Sequence, residues 1–231
     1  MADPEKSKLK LAVLISGTGR TLQNFIDLAA EGQLPVEIRL VVSSTPKAGG
    51  LKFAADAGIR TRVISRGDFP VGEAGDTSFG DAVFDACRDA GVDYVAMAGF
   101  LKLAPVPPDF AGRVVNIHPA LIPAFCGPGM YGHHVHQAVL DAGAKVTGCT
   151  VHFVDNQYDC GPIIWQQPVP VFEDDTADTL AARVFEAEKE AYPHVLKLLA
   201  TRRVQLDGRR VTIKKSQRGK GSPSGAYPID E

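Results

Sequence analysis

The chain has 231 residues, 45% apolar and 23% charged, with a formal net charge of −2. That length carries a sizeable core and predicts one large domain; the composition excludes a wholly disordered chain, and the charge excludes a general basic field for nucleic acid. No apolar run nears the ~18 residues of a membrane span, and no secretory h-region follows the polar stretch Met1–Lys10, so the expected setting is the cytoplasm, with Cys87, Cys126, Cys149 and Cys160 as scattered reduced thiols.

Leu9–Ile15 (LKLAVLI) is almost continuously apolar, the pattern of a strand buried on both faces of a parallel sheet. Ser16-Gly17-Thr18-Gly19-Arg20-Thr21 follows, and either Thr18 or Thr21 is placed to cap a helix carrying Leu22, Phe25, Ile26 and Ala29 at helical spacing. A strand, a glycine loop and a helix present backbone N–H groups to a phosphate. Leu22 stands where a dinucleotide fingerprint needs its third glycine, and Gly-Lys-Ser/Thr is absent, so neither NAD nor ATP is indicated. A phosphate monoester held by Gly19, Arg20 and Thr21 fits better; the plain alternative is a tight turn with no ligand.

Val36–Ser43 reads as a second strand, Leu51–Ala57 as a short helix ended by Gly58, and Arg60–Ser65 as an edge strand. Gly67–Gly75 is loop. Thr77 or Ser78 can cap a helix running to Ala90 and closed by Gly91, and Val92–Met97 is the fourth strand. This rhythm predicts a doubly wound, mostly parallel α/β sheet with helices on both faces. The segment Ala98–Pro105 is unusually apolar for a loop. It is either packed on the core or the wall of a pocket for a flat heterocycle.

Val114–His118 is a strand stopped by Pro119. Alternation puts Asn116 and His118 on one face and Ile117 on the other, at the carboxyl end of a strand where open α/β sheets bind ligands. The glycine-rich loop after Pro123 leads to His133, His134 and His136, which lack metal-site spacing with other ligands and are assigned to a helix start and its solvent side. Val146–Val154 and Ile163–Val171 form a hairpin whose turn carries Asp155 and Asp159; either carboxylate can face the site or only form the turn. His152 reads as a strand histidine packed or bonded locally, or one that helps shape the site. Asp178–Ala200 is the longest helix, with Leu180, Val184, Ala187, Ala191, Val195 and Leu198 in one stripe, Glu188 on its border, and Pro193 expected to kink or break it. Val204–Leu206 and Val211–Ile213 form a terminal antiparallel hairpin. The domain is expected to span residues 1–213, with 214–231 a flexible tail.

Five stretches in this order, Leu14–Gly19 (LISGTG), Ala98–Leu101 (AGFL), Asn116–Pro123 (NIHPALIP), Gly148–Val154 (GCTVHFV) and Asp159–Pro162 (DCGP), resemble the phosphoribosylglycinamide formyltransferase family across roughly Leu9 to Ile213. The resemblance implies the formyltransferase-like fold and transfer of a formyl group from 10-formyltetrahydrofolate to the amine of 5'-phosphoribosylglycinamide, in purine biosynthesis. It implies Asn116, His118 and Asp159 as the catalytic trio, thereby favouring Asp159 over Asp155. It further implies Gly19, Arg20 and Thr21 for the ribose phosphate, Glu188 for the glycinamide portion, and Leu101, Lys102, Leu103, Ala104 and Asn116 for the folate. Small molecules are the implied partners of a monomer or homodimer, with no metal, nucleic acid or membrane. The phosphate loop departs from the family pattern at Thr18-Gly19-Arg20-Thr21, and the Phe125–Val135 loop is longer than in many members. A folate contact within Gly67–Ser78 stays unassigned. The rival readings are a formyltetrahydrofolate deformylase, with water as acceptor, and a non-catalytic phosphate- or folate-binding module. A methionyl-tRNA formyltransferase would need a C-terminal nucleic-acid-binding domain, which is not expected here.

Overall fold

The computed structural model describes residues 8–70 and 76–215. Seven strands form one sheet: β1 (Leu9–Ile15), β2 (Val36–Ser43), β3 (Thr61–Val63), β4 (Tyr94–Met97), β5 (Val114–His118), β6 (Val146–Phe153) and β7 (Ile163–Pro170). Their spatial order is β3-β2-β1-β4-β5-β6-β7. The first five pair in parallel, while β6 pairs antiparallel with both β5 and β7. Five α-helices accompany them among the described residues: α1 (Arg20–Ala30), α2 (Gly50–Asp56), α3 (Ser78–Asp89), α4 (His133–Asp141) and α5 (Ala177–Ala200). A separate antiparallel ribbon, β8 (Val204–Asp207) with β9 (Arg210–Ile213), follows.

The sheet divides two cores, and strand alternation decides which residue enters which. Leu11, Val13 and Ile15 of β1 pack with Phe25 of α1 and with Tyr192 and Leu196 of α5. Ala12 and Leu14 of the same strand pack with Phe79, Val83 and Phe84 of α3 on the opposite face. β1 therefore has no solvent face, which is why its sequence shows almost no polar alternation. Strand order reverses about β1, which lies between β2 and β4. The chain leaves β1 toward one edge of the sheet and β4 toward the other, and a switch point of this kind is where open α/β sheets place their ligands.

Several local expectations are corrected. Neither Thr18 nor Thr21 caps α1; Gly19 takes the cap position at φ 79°, in the left-handed region, with no side-chain cap bond. A side chain there would collide with Gly50 Cα, so the glycine serves both the turn and the close approach of α2. Asp76 accepts the Ser78 N–H at the start of α3, while the Thr77 hydroxyl donates to Asp81. The edge strand β3 is only 3 residues long, with all three residues exposed. Pro193 does not break α5, which continues to Ala200. The proline removes the N–H that would reach the Lys189 carbonyl one turn back, and Asn24 of α1 donates its amide to that carbonyl instead, at 3.0 Å. The expected tail lies outside the described residues beyond Lys215.

Candidate active site

Three strand ends build the site. Ser16, just past β1, accepts the Leu101 N–H on its Oγ at 3.0 Å and shares a 2.7 Å hydrogen bond with the Ser44 hydroxyl. Its own N–H donates to Gly99 O. One small hydroxyl residue thus ties the loops after β1, β2 and β4 into a rim. Beneath it lies a cavity of about 480 Å³, lined by Gly17–Thr21, Ala98–Ala104, Asn116, His118, the Gly127–Gly132 loop, His152, Asp159, Phe185 and Glu188 among others.

Asn116 and His118 project from β5 into this cavity, as alternation requires, while Val115 and Ile117 enter the core on the other face. Asp159 arrives from the β6–β7 turn, with its Oδ2 3.5 Å from His118 Nδ1. The same oxygen accepts the Gly127 N–H at 2.9 Å. His118 Nε2 lies 2.8 Å from the Phe125 carbonyl; a carbonyl only accepts, so Nε2 carries a proton. Phe125 and Asp159, the two residues that hold His118, both sit at left-handed φ, 51° and 53°, a conformation uncommon outside glycine and typical of residues held in place by a site. Asp155 lies elsewhere in the turn and accepts the Gln157 N–H, a turn-forming bond.

Of the two readings of His152, the structure fits the one in which it also shapes the site. Its Nδ1 is 2.7 Å from Phe153 O, so Nδ1 holds the proton and Nε2 is left as an acceptor. The Asn116 amide then donates to Nε2 at 3.2 Å. Burial pushes the His152 pKa down, which keeps the ring neutral and able to accept. Asn116 is thereby fixed with its NH2 toward His152.

The phosphate-loop and folate-wall residues both line the cavity. Gly19, Arg20 and Thr21 stand at the start of α1, where free backbone N–H groups favour an anion. Leu101 and Leu103 also line it and remain 49% and 41% exposed, an apolar surface open to a ligand; Lys102 and the buried Ala104 complete that segment. Glu188 reaches inward from α5. Burial raises its pKa to about 7, and the neighbouring Arg20 charge only partly offsets this.

One placement is corrected outright. His133 and His134 are exposed, but His136 is 4% exposed and turned into the cavity, with no hydrogen-bond partner on Nδ1. Position explains it: His136 follows the buried Val135 on the inner face of α4. Burial, and then the nearby His133 and His118, lower its pKa to about 4. Among the described residues, no three His, Cys, Asp or Glu side chains gather as metal ligands would, and no helix is long and apolar enough to cross a membrane.

The family model for formyl transferase matches residues 9–196. The phosphoribosylglycinamide formyltransferase of Haemophilus influenzae is 36% identical over 220 residues, covering 94% of this chain and 98% of that protein. The chloroplastic phosphoribosylglycinamide formyltransferase of Arabidopsis thaliana is 37% identical over 203 residues, 87% of this chain and 68% of that one. The trifunctional purine biosynthetic protein adenosine-3 of Gallus gallus is 41% identical over 204 residues, but the chain spans only 19% of its length. The crystal structure of glycinamide ribonucleotide transformylase 1 from Symbiobacterium toebii superposes with a TM-score of 0.81 at 37% identity, over 90% of this chain and 95% of that one. A formyltetrahydrofolate deformylase from Pseudomonas syringae shares the fold, with a TM-score of 0.77 at 20% identity, over 90% of this chain and 66% of that one. With a family match running from the first strand into the last helix, and a relative matched over nearly its full length, the chain belongs to the formyl transferase family.

Proposed function

We propose that this protein transfers the formyl group of 10-formyltetrahydrofolate to the amine of 5'-phosphoribosylglycinamide, giving phosphoribosyl-N-formylglycinamide and tetrahydrofolate. The observation that carries the reading is the convergence of Asn116, His118 and Asp159 in a cavity also lined by an anion-favouring helix start and an apolar loop. Names of full-length relatives support the same reaction. In this reading Gly19, Arg20 and Thr21 take the ribose phosphate, Glu188 the glycinamide, and Leu101–Ala104 the folate heterocycle.

The substrate amine attacks the formyl carbon, forming a C–N bond and placing negative charge on the formyl oxygen. Asn116 has one N–H committed to His152 and a second free for that oxygen; such a donor contributes roughly 3 kcal/mol to the transition state. His118 Nε2 is held by Phe125, so Nδ1, at the longer 3.5 Å contact with Asp159, is the nitrogen free to change partner; in the imidazolium form it too carries a proton and donates it to the oxyanion as a hydrogen bond. Asp159 stands where it can take the proton lost by the amine and pass it, through water, to the folate nitrogen as the old C–N bond breaks.

The test is a transfer assay with 10-formyltetrahydrofolate, run with and without phosphoribosylglycinamide. Formylated amine produced in step with tetrahydrofolate supports the proposal. Formate released at the same rate whether or not the amine is present would make the protein a deformylase, and binding of both ligands without turnover would make it a binding module.

A further inference from the structure

We infer that Phe185 is a positioning residue for the substrate's phosphate group, its ring holding the Arg20 guanidinium ready at the loop after β1. This rests on the function proposed above and adds to the phosphate end of the site a residue from α5, far from the loop in sequence.

The Arg20 Cζ atom lies 4.1 Å from the centroid of the Phe185 ring, so the cation sits against the ring's electron-rich face. Both residues line the cavity. Among the described residues, no hydrogen bond or ion pair occupies the guanidinium. A guanidinium held through one face keeps its N–H edge free, and that edge is what a phosphate takes in bidentate fashion.

Held against the ring, Arg20 makes no ion pair with the nearby Glu188. Glu188 is three residues beyond Phe185 on the same helical face, and its carboxyl group feels the Arg20 charge. If Arg20 closed onto Glu188, the site would lose a phosphate donor and the acceptor proposed for the glycinamide together. The other cation near this ring, Lys189 at 5.8 Å, is already paired with Glu186 at 2.5 Å. Arg20 is therefore the cation that the ring holds in reserve.

Steady-state kinetics on the full chain, with phosphoribosylglycinamide and formyl-folate varied separately, tests the role. Phe185→Leu keeps apolar bulk and removes the aromatic face. It is expected to raise KM for the phosphorylated amine by about two- to fivefold, the range of an exposed cation–π contact, while kcat and the folate KM hold. Phe185→Tyr, which keeps the face, should restore KM. In an Arg20→Ala background the Leu substitution should add nothing. An unchanged KM in Phe185→Leu, or an equal rise with and without Arg20, overturns the inference and leaves Phe185 as packing. If the wild-type protein formylates no amine, the functional reading falls separately. Calorimetry with inorganic phosphate then decides the matter: weaker binding in Phe185→Leu upholds the positioning role and unchanged binding ends it.

Discussion

Asn116 and His118 are held by different means, and the difference sets what each substitution should do. Asn116→Ala removes the free donor outright, and its turnover should fall by about 100- to 1000-fold; His118→Ala should also lose most turnover. Folate binding, followed by fluorescence, should survive in both, and near-normal kcat in either would refute the assignment. His152→Phe keeps the Asn116 side chain but removes the acceptor that orients it, so kcat should fall by less than in Asn116→Ala. Glu188 gives a pH prediction. Its pKa is about 7 in the fold, above the ordinary carboxylate value, so the folded protein holds a proton that the unfolded chain releases from about pH 4.5 upward. The stability contribution of this group therefore falls as pH rises between about 4.5 and 7, and is level above. Urea midpoints of wild type and Glu188→Gln should diverge across that window, with the Gln variant lacking this decline. The ionised carboxylate is the stronger acceptor from an amide, so KM for the amine substrate should drop as pH passes through about 7, and that drop should be missing in Glu188→Gln.

At the scale of elements, α5 is the piece that fastens the site to the sheet. The buried Tyr192 hydroxyl donates toward the carbonyls of Met97 and Val115, on the two neighbouring strands β4 and β5. Next to it, Pro193 leaves the Lys189 carbonyl to Asn24. Asn24→Ala should lose about 1 kcal/mol in urea unfolding, the usual worth of such a bond. In a Pro193→Ala background, where the backbone N–H returns, the same substitution should cost less; equal losses in both backgrounds would show that the amide does not serve as the proline's substitute. The sequence announced the helix and its buried stripe through spacing alone, but not its passage through Pro193. That depended on a side chain 165 positions away in sequence. The same limit explains the other misses. Threonines near the start of α1 looked like caps because local chemistry favours them, whereas the contact of Gly19 with Gly50 decided the cap. His136 looked solvent-facing beside two exposed histidines, and only the docking of α4 reveals its inner face. By contrast, the strand core and the shared face of Asn116 and His118 follow from a period of two, which needs no knowledge of the partner.

On the function proposed above, the whole molecule must choose between two acceptors, an amine and water, and that choice is not written in the residues at the strand ends. It depends on what covers them. The Gly127–Gly132 segment lines the cavity, and its first N–H donates to Asp159 Oδ2, so one loop both walls the site and holds the carboxylate proposed to move the proton. Excluding water strengthens the hydrogen bonds to the developing oxyanion and denies the formyl carbon its competing nucleophile. A variant lacking residues 129–131 keeps Gly127 and its bond to Asp159 while shortening the cover. It should retain folate binding, lose amine-transfer turnover, and release more formate per formyl-folate consumed than the wild type. Formate and formylated amine measured in the same reaction give the ratio directly. If transfer and hydrolysis fall together with the ratio unchanged, the loop acts on the carboxylate alone, and the exclusion of water must come from the rim that Ser16 ties together.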